Sequence, residues 1–190
     1  MTGDAYDAVI LGGGLARRLG GADKPGMLVG GRSLIGWVAD AAAGANRLVI
    51  VGPPRADVPH AITARENPPG SGPVPALRAG LAEVRAPWLV LLAADLPFLR
   101  PGHVTELVEA ARAHGSGAVL VDADGREQWL VGAWRTAALT AGLGGYRGRS
   151  LGGLLGGLCP VTLRTGGGSR PPWYDCDTPE DLAAAADLES

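Results

Sequence analysis

The stretch from Asp7 to Pro25 reads DAVILGGGLARRLGGADKP. Its opening, Asp7 to Gly12, is a short β-branched apolar run that ends in glycine, the pattern of a strand buried on both faces. Gly12, Gly13 and Gly14 follow without a break. Glycines directly after a strand let backbone N–H groups approach an anion closely, where a Cβ would block the approach. Arg17, Arg18 and Lys24 then place three positive charges within eight positions.

Outward from this segment, the chain alternates between strand and helix patterns. Ser33 to Ala43 is expected to be a helix with Ser33 as its N-cap. Arg47 to Val51 reads as a strand. Pro73 to Val84 reads as a helix after the Gly/Pro-rich loop Asn67 to Gly72. Trp88 to Ala94 is the most apolar strand and runs into Asp95. Pro101 to His114 is a helix with proline in its first turn. Gly117 to Val121 and Trp129 to Ala133 are further strands. Leu139 to Leu158 holds one or two helices broken by glycines. Val161 to Arg164 is a late strand, and Arg164 to Pro172 a loop. Thr178 to Leu188 is the last helix, with Thr178 as N-cap, Pro179 at the first helical position, and Glu180 and Asp181 at the positive helix end. This order predicts a three-layer, Rossmann-like α/β fold with a mostly parallel central sheet. Ligands in such sheets bind beyond the carboxyl ends of strands. That rule selects the loop after Leu11, the loop after Val51, and Asp95.

The 190 residues suit one domain, 1–190, and their 46% hydrophobic content can build a sizeable core. A formal net charge of −2 offers no global positive field, which argues against a nucleic-acid-coating protein. A polyanionic small molecule must then be held by a local basic cluster. Cys159 and Cys176 form no CxxC and predict neither a zinc site nor a disulfide framework. The N-terminus lacks a basic and apolar leader, and no apolar run reaches the roughly 18 residues of a membrane span. The expected location is therefore the cytoplasm, with no membrane partner.

Two familiar phosphate loops fail on spacing. A Walker loop requires Gly-Lys-Ser/Thr, but Lys24 lies between Asp23 and Pro25. The dinucleotide fingerprint Gly-x-Gly-x-x-Gly fits at Gly12 and Gly14, but Arg17 occupies the third glycine position. The segment instead resembles Leu-Ala-Gly-Gly-x-x-x-Arg-Met/Leu-Gly-x-x-Asp-Lys, the signature of the nucleotidyltransferase superfamily. Within that superfamily it is most similar to the molybdenum cofactor guanylyltransferase family. The resemblance implies transfer of GMP from GTP to the terminal phosphate of molybdopterin, with release of pyrophosphate. It implies that Leu11, Gly12, Gly13 and Gly14 contact the nucleotide while Arg18 and Lys24 hold its phosphates. It also implies transient contact with cofactor-biosynthesis or acceptor proteins. Gly12 stands where the family usually has alanine.

Three acidic positions extend the resemblance. Asp95-Leu-Pro resembles the family's Asp-x-Pro metal motif, and a carboxylate at a strand end suits Mg²⁺, which takes oxygen ligands and bridges phosphates. Asp175-Cys-Asp-Thr-Pro-Glu-Asp181 resembles a C-terminal Asn-x-Asn/Asp-Thr-Pro-Glu-Asp signature, which makes Asp177 a second candidate metal ligand. Glu66 falls where the family carries an acidic residue near the nucleotide. Gly52-Pro53-Pro54-Arg55 replaces a segment that usually offers an asparagine near the base, so that base-recognition contact behind GTP preference is missing here. Trp129 and Trp134 lie near an implied pterin site, although buried tryptophans are ordinarily core. Arg147 and Arg149 are candidates for an anionic second substrate.

No Ser/His/Asp or Cys/His arrangement appears, so direct transfer by Lys24, Arg18 and Asp95 is favoured over a covalent intermediate. The competing expectations are a cytidylyltransferase, another small-acceptor nucleotidyltransferase, or a regulatory module that binds nucleotide without catalysis.

Overall fold

The computed structural model describes residues 5–13, 23–165 and 168–189. The strand β1 spans Tyr6–Leu11 and is buried over Asp7 to Ile10, as its apolar run requires. A 3₁₀ turn follows at Lys24–Gly26, and Leu28–Val29 (β2) pairs with Arg32–Ser33 (β3) as a small hairpin. Helix α1 (Leu34–Ala41) starts at Ser33, whose hydroxyl accepts the Gly36 N–H at 3.1 Å. Then come β4 (Leu48–Val51), β5 (Ile62–Ala64), α2 (Pro73–Leu81) and β6 (Trp88–Ala93). The rest is α3 (Pro101–His114), β7 (Gly117–Val121), β8 (Glu127–Arg135), α4 (Thr136–Gly145), α5 (Leu151–Gly156), β9 (Val161–Leu163) and α6 (Pro179–Glu189). The glycine-broken region thus holds two helices.

Apart from the β2/β3 hairpin, the strands among the described residues form one sheet in the order β5-β4-β1-β6-β8-β7-β9. The pairs β5/β4, β4/β1, β1/β6 and β7/β9 are parallel, while β8 runs antiparallel to both neighbours. The sheet is mostly parallel, as the alternation of elements predicts. Side chains alternate faces along each strand. Ala8 and Ile10 pack with Val38 of α1 and Leu107 of α3 on one side. Val9 packs with Leu77 of α2, Leu139 of α4 and Leu154 of α5 on the other. Two cores on one sheet make the three layers.

Parallel register places the strand ends on one edge. Leu11 lies opposite both Val51 and Ala93, and Val51 opposite Ala64. The chain leaves β1 for β4 on one side, and β6 pairs on the other, so the sheet order diverges at β1. A crevice at such a divergence is where open α/β sheets bind ligands. At the opposite edge, buried Asp7 accepts the Arg85 and Ala86 N–H groups at 2.6 and 2.9 Å and fixes the entry to β6.

Helix α2 lies close against the sheet because Gly80 carries no side chain. A Cβ there would stand 2.5 Å from Val9 Cγ1 and 2.8 Å from Val51 Cγ2. Both valines are short and stiff at χ1. Alanine gains about 1 kcal/mol over glycine in a helix. Overpacking a core costs about 1–3 kcal/mol, and the latter should win here. Gly80→Ala is therefore expected to lower the denaturant midpoint of unfolding. An unchanged or raised midpoint would show that α2 can move away from the sheet freely.

Candidate active site

Four strand ends meet at the carboxyl edge. After β1, the Gly12 N–H donates to the Val51 carbonyl at 2.9 Å, which holds the β1 turn against β4. Gly12 therefore contributes close approach, since its own donor is already used. Gly52 backs the turn from β4 at φ +154°, and a Cβ there would lie 3.0 Å from the Gly12 carbonyl carbon. After β5, Glu66 is buried, and its Oε1 accepts the Gly70 N–H at 2.8 Å. A Cβ built on Gly13 would come within 3.8 Å of the same oxygen. Glu66 thus shapes the loop leading to α2 and borders the glycine turn. Leu11, half-buried, closes β1 beside them. Gly14, Arg17 and Arg18 lie outside the described residues.

After β6, Asp95 is anchored by the buried run Leu96 to Leu99. Its Oδ2 stands 2.5 Å from Lys24 Nζ, and the same ammonium is 2.5 Å from Asp177 Oδ1. The side chains of Lys24 and Asp95 are 15% and 19% exposed, so this pair is shielded and counts for more than a surface pair, whereas Asp177 is 46% exposed and its pair is more strongly screened. Burial works against the charged ammonium, but the Asp95 and Asp177 carboxylates outweigh it and raise the Lys24 pKa above the ordinary lysine value. Lysine stays protonated throughout the neutral range. Asp95 Oδ1 is buried with no hydrogen-bond partner among the described residues. A buried carboxylate oxygen without a donor is an unsatisfied acceptor.

Asp177 reaches this point through the C-terminal segment. The Cys176 N–H donates to the Asp95 carbonyl at 3.3 Å. Cys176 points inward and packs with Val29, Leu34, Phe98 and Ala185. Burial, followed by the nearby Asp95 carboxylate, pushes its thiol up to about 12. Asp175, largely at the surface, is raised above the usual aspartate value by partial burial and then by Asp177 and Asp95. Asp181 closes the arrangement. Its Oδ2 accepts the Asp177 and Thr178 N–H groups at 3.0 and 2.8 Å and the Thr178 hydroxyl at 2.8 Å. The Asp181 N–H donates back to the Thr178 hydroxyl at 3.2 Å, a reciprocal N-cap on α6.

Lys24, Asp95 and Asp177 are therefore brought together, and Leu11, Gly12, Gly13 and Glu66 share their edge of the sheet. Lys24 is the only lysine among 17 Lys and Arg residues, a sequence signal for a compact cation that the planar guanidinium of arginine does not replace. Trp134 is fully buried and stacks on Trp129 at 6.5 Å, so it is a core residue. Arg149 borders a cleft of about 330 Å³ with Gly72, Arg78 and Tyr146, and Arg147 does not. Among the described residues, no group of three or more His, Cys, Asp or Glu side chains is arranged to hold a metal. Two carboxylates sharing one cation, one of them with an orphaned oxygen, still fit an ion that draws its other ligands from phosphate and water. Among the described residues, no helix is long and apolar enough to cross a membrane.

A glycine turn, a cation and paired carboxylates at the divergence of a mostly parallel sheet define a protein of the nucleotidyltransferase class. The family model described as MobA-like NTP transferase domain matches residues 8–156, and the chain belongs to that family. It is 29% identical to a molybdenum cofactor guanylyltransferase of Bradyrhizobium, over 98% of this chain and 94% of that protein. It is 32% identical to the protein of that name from Cereibacter sphaeroides, over 95% of each. The solved molybdopterin-guanine dinucleotide biosynthesis protein A of Archaeoglobus fulgidus shares the fold, with a TM-score of 0.72 at 19% identity over 96% of this chain and 97% of that one.

Two measurements check the C-terminal arm. Native protein should show one thiol reactive toward Ellman's reagent, the exposed Cys159, and a second only after denaturation. Two fast thiols would mean that Cys176 is not packed as described. Asp181→Ala should cost about 1 kcal/mol of stability, the size of a lost capping interaction. The Thr178 hydroxyl bond comes first among the causes that hold Asp181 below the usual aspartate value. Its contribution is thus complete above that value and is lost as pH falls through the lowered one. A stability difference between wild type and Asp181→Ala that persists unchanged below that range would contradict the assignment.

Proposed function

We propose that the chain transfers GMP from GTP to the terminal phosphate of molybdopterin in the cytoplasm, forming the guanine dinucleotide cofactor and pyrophosphate. One observation carries this reading: the Lys24 ammonium sits between Asp95 and Asp177 at the sheet edge where β1 runs into the Gly12–Gly13 turn. Both the names of the relatives and the family agree with it.

In this mechanism the molybdopterin phosphate oxygen attacks the α-phosphorus of GTP, and the bond to the β-phosphate bridging oxygen breaks. The backbone after β1 accommodates the triphosphate, because glycine leaves no Cβ in its path. Lys24 exchanges a carboxylate partner for phosphate oxygens and, with Arg18, stabilises charge gathering on the departing pyrophosphate. Asp95 and Asp177 are the residues that would hold Mg²⁺, which when bound neutralises phosphate charge. Glu66 fixes the loop that borders the turn. The cleft at Arg149 is a candidate place for the anionic acceptor. Transient contact with a cofactor-biosynthesis or acceptor protein would deliver or receive the product.

A second reading, CMP transfer from CTP, draws on one feature. Pro53 and Pro54 are exposed and Arg55 is engaged with Asp23, so the segment after β4 offers no asparagine to a base. A panel of GTP, CTP, ATP and UTP with Mg²⁺ and molybdopterin, scored by pyrophosphate release, separates the two. GTP should be used best. Preference for CTP would overturn the guanylyl assignment, and GTP binding without pyrophosphate release would favour a regulatory module. With the preferred nucleotide, Lys24→Ala and Asp95→Ala should each lower turnover at least about 100-fold, as loss of one transition-state contact worth about 2.7–4 kcal/mol does. Near-normal turnover in either variant would exclude that residue from the chemistry.

A further inference from the structure

Arg55 lies on the loop after β4, outside the group formed by Lys24, Asp95 and Asp177. Its side chain is only 7% exposed. Its guanidinium forks onto the Asp23 carboxylate: Nη2 donates to Oδ1 at 2.6 Å, and Nη1 pairs with Oδ2. Asp23 immediately precedes Lys24 and heads the 3₁₀ turn Lys24–Gly26. The Asp23 carbonyl accepts the Gly26 N–H at 3.0 Å, and the Lys24 carbonyl accepts the Met27 N–H at 3.0 Å. Gly26 leaves the Asp23 carboxylate its place, since a Cβ there would fall on Oδ2. A planar bidentate contact fixes orientation as well as distance. A lysine ammonium, by contrast, sits on a flexible four-carbon stem and needs its backbone fixed to have one position.

We propose that Arg55 is a positioning residue for the Lys24 ammonium: its grip on Asp23 sets the Lys24 turn so that the amine meets Asp95 and Asp177. The activity consequence rests on the proposed function, but the positioning does not. The same loop has a second tie, in which the Ser33 hydroxyl donates to Asp57. That tie joins Asp57 to the N-cap of α1 and bypasses Asp23, so it serves as the control.

The test uses the whole chain and its single lysine. Lys24 and the N-terminal amine are the only primary amines, so acetylation by a water-soluble ester, followed by peptide mass spectrometry, reports Lys24 directly. An ammonium held between two carboxylates is protected; a released one is not. Arg55→Ala and Asp23→Asn should raise the Lys24 acetylation rate several-fold, because an ammonium no longer held in one shielded place is reached more often by the reagent. The N-terminal amine should be unaffected. Arg55→Lys should restore part of the protection. Asp57→Ala should leave Lys24 as protected as in wild type. Where transfer activity is present, Arg55→Ala should lower kcat more than it raises KM for the nucleotide. Unchanged Lys24 acetylation in folded Arg55→Ala and Asp23→Asn would overturn the proposal, as would equal deprotection by Asp57→Ala. If Arg55→Ala does not fold, Asp23→Asn and Arg55→Lys decide it. Failure of the proposed function would appear separately, as a wild type that releases no pyrophosphate from any nucleotide.

Discussion

A single ammonium between two carboxylates is the constraint around which the site is built. Lys24, Asp95 and Asp177 come from far-apart parts of the chain, and the largely buried Lys24 and Asp95 side chains cost free energy to hold away from water. Removing the cation would leave two negative groups facing one another, a costly state in partial burial. The surrounding structure reads as support for this arrangement. The β1/β6 register brings the glycine turn and Asp95 to one edge. The bond from the Cys176 N–H to the Asp95 carbonyl brings the C-terminal segment to that edge.

The support is apolar on one side and polar on the other. Cys176 alternates with Asp175 and Asp177, so burying the thiol against Phe98 and Ala185 leaves the flanking acids outside that cluster. Asp181 then holds the backbone of Asp177 and Thr178 while it caps α6. The cap of the last helix and the placement of a site carboxylate therefore share the same hydrogen bonds. This coupling explains why an acidic capping sequence and a candidate metal ligand occupy the same few residues.

Much of this was legible in the sequence. The apolar runs of β1, β4 and β6 marked buried strands, and Pro101 and His114 bounded α3 as expected. Lys24 and Asp95 stood out because a glycine turn and an acidic strand end imply a common edge once strands are parallel. Other features leave little trace. Strand direction is not encoded in hydrophobic period, so the antiparallel β8 was not foreseen. β2, β3 and β5 have two or three residues each, too few to show a period. Arg55 and Asp23 are 32 positions apart in irregular segments, and only the folded chain shows that they pair. The Gly12 amide is another such case, because its commitment to Val51 depends on the β1/β4 register.

In the proposed function, the lysine–carboxylate cluster is the resting form of a triphosphate site. The most direct measurement is a crystal structure with a non-hydrolysable GTP analogue and Mg²⁺. The account predicts the triphosphate along the Gly12–Gly13 turn, Lys24 Nζ moved onto phosphate oxygens, and the cation on Asp95. Nucleotide bound elsewhere, with Lys24 still bridging Asp95 and Asp177, would contradict it.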